Sequence, residues 1–139
     1  LRLQKLFNLM TRTAIIIALA MTFMSNWIVD FLYGDQFSHA GVVLMIQAWA
    51  GIFVFLGVVS GKWFLSENLQ MLAFWRVFCG MVINIILNIL LIPKYGIQGA
   101  AVATLLSYFV AGLLFDFFTI KTRRMFFMKL RSFNLKRLK

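Results

Sequence analysis

The sequence predicts an all-α membrane protein, a polytopic bundle with four transmembrane spans. Of its 139 residues, 63% are hydrophobic and 13% are charged, whereas a soluble domain is about half apolar and a quarter charged. The mean hydropathy is +0.91. The apolar residues also come in long runs, and a run of about 20 residues is enough to cross a hydrocarbon core.

The apolar runs divide the chain into a lead-in, four spans and a tail. Apolar residues recur at helical spacing within residues 3–10, which predicts an amphipathic lead-in helix (1–12) that lies on the membrane or enters it. A signal peptide is disfavoured because the next apolar run is too long for a signal core. Residues 121–139 form a basic tail. The predicted spans are residues 13–33, 41–59, 69–92 and 97–120.

The first two spans carry few polar residues. Trp27 and Tyr33 mark an interfacial end of the first span. Asp30 lies near that end, so it is either an ordinary solvated carboxylate or an ion-coupling residue. In the second span Gln47 lies well inside, and we expect it to face protein or a cavity rather than lipid.

The third span contains a cation and two amides. Arg76 lies about 6 Å inside a hydrocarbon core of about 30 Å, from which it either snorkels to the interface or faces a cavity. Asn84 and Asn88 are one helical turn apart on one face. Two buried amides need partners, so they either bond a neighbouring helix as structural glue or line water.

A helical hairpin is predicted where the third span meets the fourth. Pro93 cannot continue the helix before it, and Gly96 permits the backbone angles of a tight reversal. A turn of about four residues places the two helices antiparallel and side by side. Beyond the turn, small residues at every fourth position form a face on which another helix can pack closely. They are Gly99, Ala103, Ser107 and Ala111.

The end of the fourth span and the tail are rich in charge. Asp116 either pairs locally with Lys121 or Arg123 or serves in ion coupling. The tail has eight Lys and Arg residues and no acid, with aromatic and aliphatic residues between them. This pattern is typical of a basic amphipathic segment on anionic membrane lipids, and it favours lipid over nucleic acid as the partner.

The distribution of positive charge predicts the orientation. With four spans, thirteen of the fourteen Lys and Arg residues fall on the side of the two termini, and only Lys94 falls on the other. The positive-inside rule then places both termini in the cytoplasm.

Two segments resemble a known family, the bacterial polysaccharide and O-antigen flippases of the multidrug/oligosaccharidyl-lipid/polysaccharide exporter superfamily. One segment is the outward loop that begins at Tyr33-Gly34-Asp35 and reaches Ala40. The other is the hairpin signature, Asn84-x3-Asn88-x2-Leu91-Ile92-Pro93-x2-Gly96-x2-Gly99-Ala100-Ala101-x-Ala103-Thr104. The likeness covers roughly residues 14–120. Members often have a proline in the first of these spans, and this chain has none there.

The resemblance implies helices nine to twelve of a transporter with 12–14 helices, in a bacterial cytoplasmic (inner) membrane. It implies movement of an undecaprenyl-pyrophosphate-linked oligosaccharide, such as an O-antigen repeat, to the outer leaflet, with the polysaccharide polymerase machinery as a further partner. A hydrated cavity would carry the polar headgroup. From depth and polarity, the candidate path residues are Arg76, Asn84, Asn88, Gln47 and Gln98.

Other functions remain open at this stage. A drug/cation antiporter of the same superfamily would need deep carboxylates, and Asp30 and Asp116 lie near span ends. A non-transporting membrane subunit could dock a partner through the small-residue face and the tail. An enzyme is not predicted, since the sequence has no phosphate-binding glycine-rich loop and no Ser/His/Asp arrangement. No cofactor is predicted, and no metal site either, because His39 has no Cys or His at ligand spacing; Cys79 is interpreted as a small core residue. The first residue is Leu1, which leads us to expect a longer parent chain.

Overall fold

Long helices make up the fold. The computed structural model describes residues 2–134, where α1 spans Arg2–Tyr33, α2 spans Ser38–Ser66 and α3 spans Gln70–Phe109. A 3-10 turn, Asp35–Phe37, precedes α2. A π-helical turn, Val110–Leu114, joins α3 to the short α4, Phe115–Phe118, and α5 spans Arg123–Ser132. The described part of the chain contains no β-strand, so the predicted all-α class is confirmed.

Helix α3 is a hairpin of two helical arms. At Gly96 the backbone takes φ 57° and ψ −135°, a region that is open to glycine and strained for other residues. The chain reverses there, and residues 70–95 form the first arm. The second arm begins at residue 97 in α3 and continues through the π-helical turn and α4 to residue 118. A Cβ placed on Gly99 would lie 2.5 Å from the carbonyl oxygen of Leu91. The arms therefore touch backbone to backbone beside the turn.

Helices α1 and α2 pack along a narrow stripe of mostly small residues. Buried positions on α1 recur at intervals of three, four or seven residues, which keeps them on one helix face. They are Phe7, Thr11, Ala14, Ala18, Ser25 and Val29. Ile52, Leu56 and Val59 from α2 complete this core together with Met125 from α5. The small side chains allow close approach of the two helices, which favours dispersion contacts in an apolar environment.

Helix α5 packs on α1 rather than lying free. The Gln4 side-chain amide donates to the Met128 carbonyl at 2.9 Å, and the Thr11 and Ser132 hydroxyls are 2.8 Å apart. The interpretation of the whole tail as a surface segment is therefore wrong for Lys129, which is fully buried. Tail residues 135–139 lie outside the described residues.

The outer faces of these helices are apolar. Phe23 of α1 is 83% exposed and Ile89 of α3 is 68% exposed, which would be unfavourable in water and suits contact with lipid tails. Three continuous helical runs are long and apolar enough to cross a membrane, and the third, Gln70–Phe118, contains the hairpin. The chain is thus a multi-pass membrane protein with four apolar helices in the described residues.

Candidate functional site

A cleft opens between α2 and the two arms of the hairpin. Its volume is about 620 Å³, and it is partly open to the surroundings. Apolar residues and glycines form most of its wall, and each arm of the hairpin also contributes polar side chains. Those polar residues are Arg76, Asn84, Thr104, Ser107 and Tyr108. A concave apolar site with a few convergent polar groups is the usual form of a ligand pocket.

Arg76 supplies the charge of the cleft. The residue is 7% exposed, and its guanidinium lies 5.0 Å from the centre of the Phe64 ring. Nη2 donates to the Gly57 carbonyl at 3.2 Å. Within residues 2–134, Nη1 is buried and has no hydrogen-bond partner. A buried donor without a partner is unfavourable, so a bound anion would stabilise this arrangement.

Two glycines of α2 lie beside the Arg76 side chain. Gly57 offers the carbonyl that accepts from Arg76, and a Cβ on Gly61 would lie 3.8 Å from Nη2. Both glycines line the cleft. Both glycines therefore border the charged group of the cleft.

Asn84, Asn88 and Thr104 form a polar chain across the hairpin. Asn88 Nδ2 donates to Asn84 Oδ1 at 2.9 Å, and Asn84 Nδ2 donates to Thr104 Oγ1 at 3.5 Å. The Thr104 hydroxyl donates in turn to the Ala100 carbonyl at 2.9 Å. Asn88 Oδ1 is buried and finds no partner in the described part of the chain. These amides link the two arms, and Asn84 also lines the cleft.

The structure does not bring every sequence-derived candidate to the cleft. Gln47 is exposed on α2, and Gln98 is half-buried beside the turn; neither lines the cleft. Asp30 is exposed near the end of α1. Arg76 and Asn84 are therefore the two path candidates that share one site.

The stripe of small residues faces the first arm. Gly99, Ala103 and Ser107 are buried. A Cβ on Gly80 would lie 2.9 Å from the Ala111 Cβ and 3.7 Å from the Ser107 carbonyl. The stripe thus brings the backbones of the two arms together, and Ser107 and Ala111 also form part of the cleft wall.

Asp116 pairs with Lys129. Lys129 Nζ lies 2.6 Å from Asp116 Oδ2, and both side chains are fully buried. The expected local pairing of Asp116 with Lys121 or Arg123 is wrong, because α5 folds back and brings Lys129 to the carboxylate. Burial lowers the pKa of Lys129 to about 8, and the negative charge of Asp116 opposes that shift.

Sequence reasoning missed Thr104, Tyr108 and Lys129. Asn84 and Thr104 are equally far from Lys94 along the chain, and an antiparallel hairpin places such residues at one level. That equal spacing could have predicted from the sequence that Thr104 lies opposite Asn84. Lys129 shares a face of α5 with the buried Met125 and Ser132. The helical spacing of these three residues could be read from the sequence, and it was the signal that Lys129 lies on the packed face.

The fold and the cleft together define an all-α, multi-pass membrane protein with a cationic, partly polar cleft between apolar helices.

Comparison with known proteins identifies three similar membrane or polysaccharide biosynthesis proteins. A probable low-salt glycan biosynthesis flippase from Haloferax volcanii is 38% identical over 90 residues, which are 65% of this chain and 19% of that protein. No family model and no solved structure matches this chain.

Two further relatives are more distant. An uncharacterized membrane protein from Methanocaldococcus jannaschii is 27% identical over 94 residues, 68% of this chain and 18% of its own length. A capsular polysaccharide biosynthesis protein from Staphylococcus aureus is 27% identical over 103 residues, 69% of this chain and 24% of its own. The chain thus spans about a fifth of each relative (19%, 18% and 24%), and it is similar to proteins named for glycan and polysaccharide biosynthesis.

Proposed function

We propose that this chain contributes to a flippase that moves lipid-linked oligosaccharides across a membrane for surface glycan synthesis. The observation that carries the proposal is Arg76, a buried cation with an unpartnered Nη1, in a cleft between apolar helices. The similarity to a glycan biosynthesis flippase and a capsular polysaccharide biosynthesis protein supports the same class of substrate.

The physical task is to carry a charged, hydroxyl-rich headgroup through hydrocarbon. Arg76 would pair with the pyrophosphate or with an acidic sugar, because a guanidinium forms two parallel hydrogen bonds with such oxygens. Asn84, Thr104 and Tyr108 would exchange hydrogen bonds with sugar hydroxyls. The exposed apolar outer faces of the helices leave the polyprenyl chain in contact with lipid while the headgroup occupies the cleft.

The finer parts of the proposal come from the resemblance to polysaccharide flippases and, for the orientation, from the distribution of positive charge. The carrier is undecaprenyl pyrophosphate, the membrane is the cytoplasmic one, and both termini face the cytoplasm. The chain is a transport component and has no enzymatic role. An O-antigen repeat is one member of the proposed substrate class. The names of two relatives extend that class to a capsular polysaccharide and a low-salt glycan.

A cation antiporter is a weaker alternative. Asp116 is a fully buried carboxylate, as ion coupling requires, but Lys129 already neutralises it at 2.6 Å. A cation would have to displace a buried ammonium to bind there. Arg76, within electrostatic reach of the same carboxylate, would also repel a cationic substrate.

Deletion of the gene in its host tests the proposal. We expect loss of the surface polymer and accumulation of the lipid-linked unit on the inner leaflet. The wild-type gene and an Arg124→Gln control should restore export, because Arg124 is exposed on α5, whereas Arg76→Gln should not. Unchanged surface polymer without accumulation would overturn the proposal.

A further inference from the structure

The Asp116–Lys129 pair touches the wall of the cleft through one backbone group. Besides the carboxylate, Lys129 Nζ donates to the carbonyl of Gly112. Gly112 lies in the π-helical turn Val110–Leu114 and lines the cleft. A single ammonium therefore joins α5, α4 and the cleft wall.

The Gly112 carbonyl that accepts this bond lies inside the π-helical turn. In the turn, the Phe115 N–H bonds the Val110 carbonyl, which shifts the ladder by one residue from the α-helical pattern. Such turns leave carbonyls out of register and occur often at functional sites. The Lys129 ammonium thus supplies a donor at a place where the helix has altered its own hydrogen bonding.

The same turn is a place of close contact between the second arm and α2. A Cβ on Gly112 would lie 2.8 Å from the Phe53 carbonyl oxygen, so the two backbones are in direct contact. Phe53 and Gly112 both line the cleft. A shift of the turn would change the distance between α2 and the second arm, and with it the width of the cleft.

Docking of α5 does not depend on the ion pair alone. The Thr11–Ser132 and Gln4–Met128 hydrogen bonds attach α5 to α1, and Met125 belongs to the α1–α2 core. A buried ion pair adds little net stability compared with apolar residues of similar size. Its presence here, with other anchors for α5 already in place, indicates a role beyond attachment.

We propose that Lys129 is a positioning residue for the cleft, which holds the π-helical turn against α2 through Asp116 and the Gly112 carbonyl. Loss of this ammonium from its pocket would release the turn and change the cleft beside Arg76. Because the cleft is the site of the proposed function, the inference rests on that function for its biological meaning. The structural part of the inference, that Lys129 holds the turn in place, depends only on the contacts of Lys129 and not on the proposed function.

Hydrogen–deuterium exchange of the full chain in lipid nanodiscs tests the inference. The test variant is Asp116→Leu with Lys129→Met, which removes both charges and leaves no buried ion unpaired. We expect amide exchange in residues 110–114 to accelerate at least tenfold, with exchange in residues 123–132 unchanged. The matched control is Lys121→Met, since Lys121 is exposed, and it should leave both segments as in the wild type.

Other patterns overturn the inference. Unchanged protection of residues 110–114 would mean that the turn does not need the Lys129 ammonium. Faster amide exchange in residues 123–132 would mean that Lys129 serves only to anchor α5. If the apolar double variant does not insert into the membrane, the double variant Asp116→Asn with Lys129→Met replaces it. Amide exchange is then compared in the same two segments, residues 110–114 and 123–132. Exchange does not depend on transport, so wild-type protein that fails to bind undecaprenyl pyrophosphate would contradict the proposed function alone.

Discussion

Asn84 on the first arm of the hairpin donates a hydrogen bond to Thr104 on the second arm, with 3.5 Å between Nδ2 and Oγ1. The bond crosses a turn whose centre is equally far from both residues. It joins two apolar helices at the edge of the cleft. Asn88 extends the chain by donating to Asn84.

Removing the Thr104 hydroxyl should weaken the hairpin. Thr104→Val keeps the shape of the side chain and takes away the acceptor of Asn84, so we expect a loss of about 0.5–1 kcal/mol in the free energy of unfolding. Equilibrium unfolding of both proteins in mixed micelles measures this difference in the free energy of unfolding. Thr13→Val is the control, because its hydroxyl bonds only the Leu9 carbonyl of its own helix; equal losses in both variants would contradict the cross-hairpin role.

A side chain at Gly99 should separate the arms. The Cβ of Gly99→Ala would lie 2.5 Å from the Leu91 carbonyl oxygen, and backbone cannot move aside as a flexible side chain does. Overpacking of this kind lowers stability by about 1–3 kcal/mol. Gly51→Ala has open space around it and should be neutral or stabilising. If Gly99→Ala unfolds at the same denaturant concentration as the wild type, the close contact of the arms is wrong.

Loss of the Thr11 hydroxyl should loosen α5. The Ser132 hydroxyl donates to the Lys129 carbonyl, so Thr11 is the donor to Ser132, and Thr11→Val leaves that acceptor without its partner. We expect faster amide exchange in residues 123–132, corresponding to about 1 kcal/mol. Ser66→Ala, which removes only a bond to Trp63 of the same helix, should leave α5 protected. No change with Thr11→Val would show that α5 is anchored elsewhere.

Lys129→Met alone should be strongly destabilising. It leaves the Asp116 carboxylate buried without a cation, and breaking a buried pair in this way costs about 3–5 kcal/mol. Thermal unfolding of purified protein measures the loss, with the exposed Lys121→Met as control. Restoration of most of the stability in the double variant Asp116→Leu/Lys129→Met is also expected; a double variant as unstable as the single one would contradict the assignment of the effect to an unpaired charge.

Local sequence signals determined the hairpin. Gly96 takes a left-handed conformation that favours glycine, and the chain reverses at this residue. Pro93 lies within the helical segment before the turn, so the expectation that the helix ends at the proline is wrong, although the place of the reversal was predicted. The apolar runs likewise indicate membrane helices, because their period and length do not depend on distant parts of the chain. These features were predictable from the sequence for that reason.

Long-range contacts were not predictable in the same way. Lys129 was grouped with its basic neighbours, since nothing local shows that α5 folds back onto α1 and carries this residue to Asp116. Gln47 is deep in its predicted span but exposed on α2, because depth along a helix does not decide which way a side chain faces. Arg76 and Asn84 share the cleft because the hairpin and α2 meet there.

Binding of undecaprenyl pyrophosphate to the purified chain in nanodiscs tests the central claim most directly, that Arg76 makes the cleft a site for an anionic lipid-linked headgroup. Hydrogen bonds to a charged group contribute about 1.5–3 kcal/mol, so we expect Arg76→Gln to weaken binding at least tenfold. The exposed Arg124→Gln variant should bind as the wild type does. Equal affinity in all three proteins, or equal loss in both variants, would contradict the account.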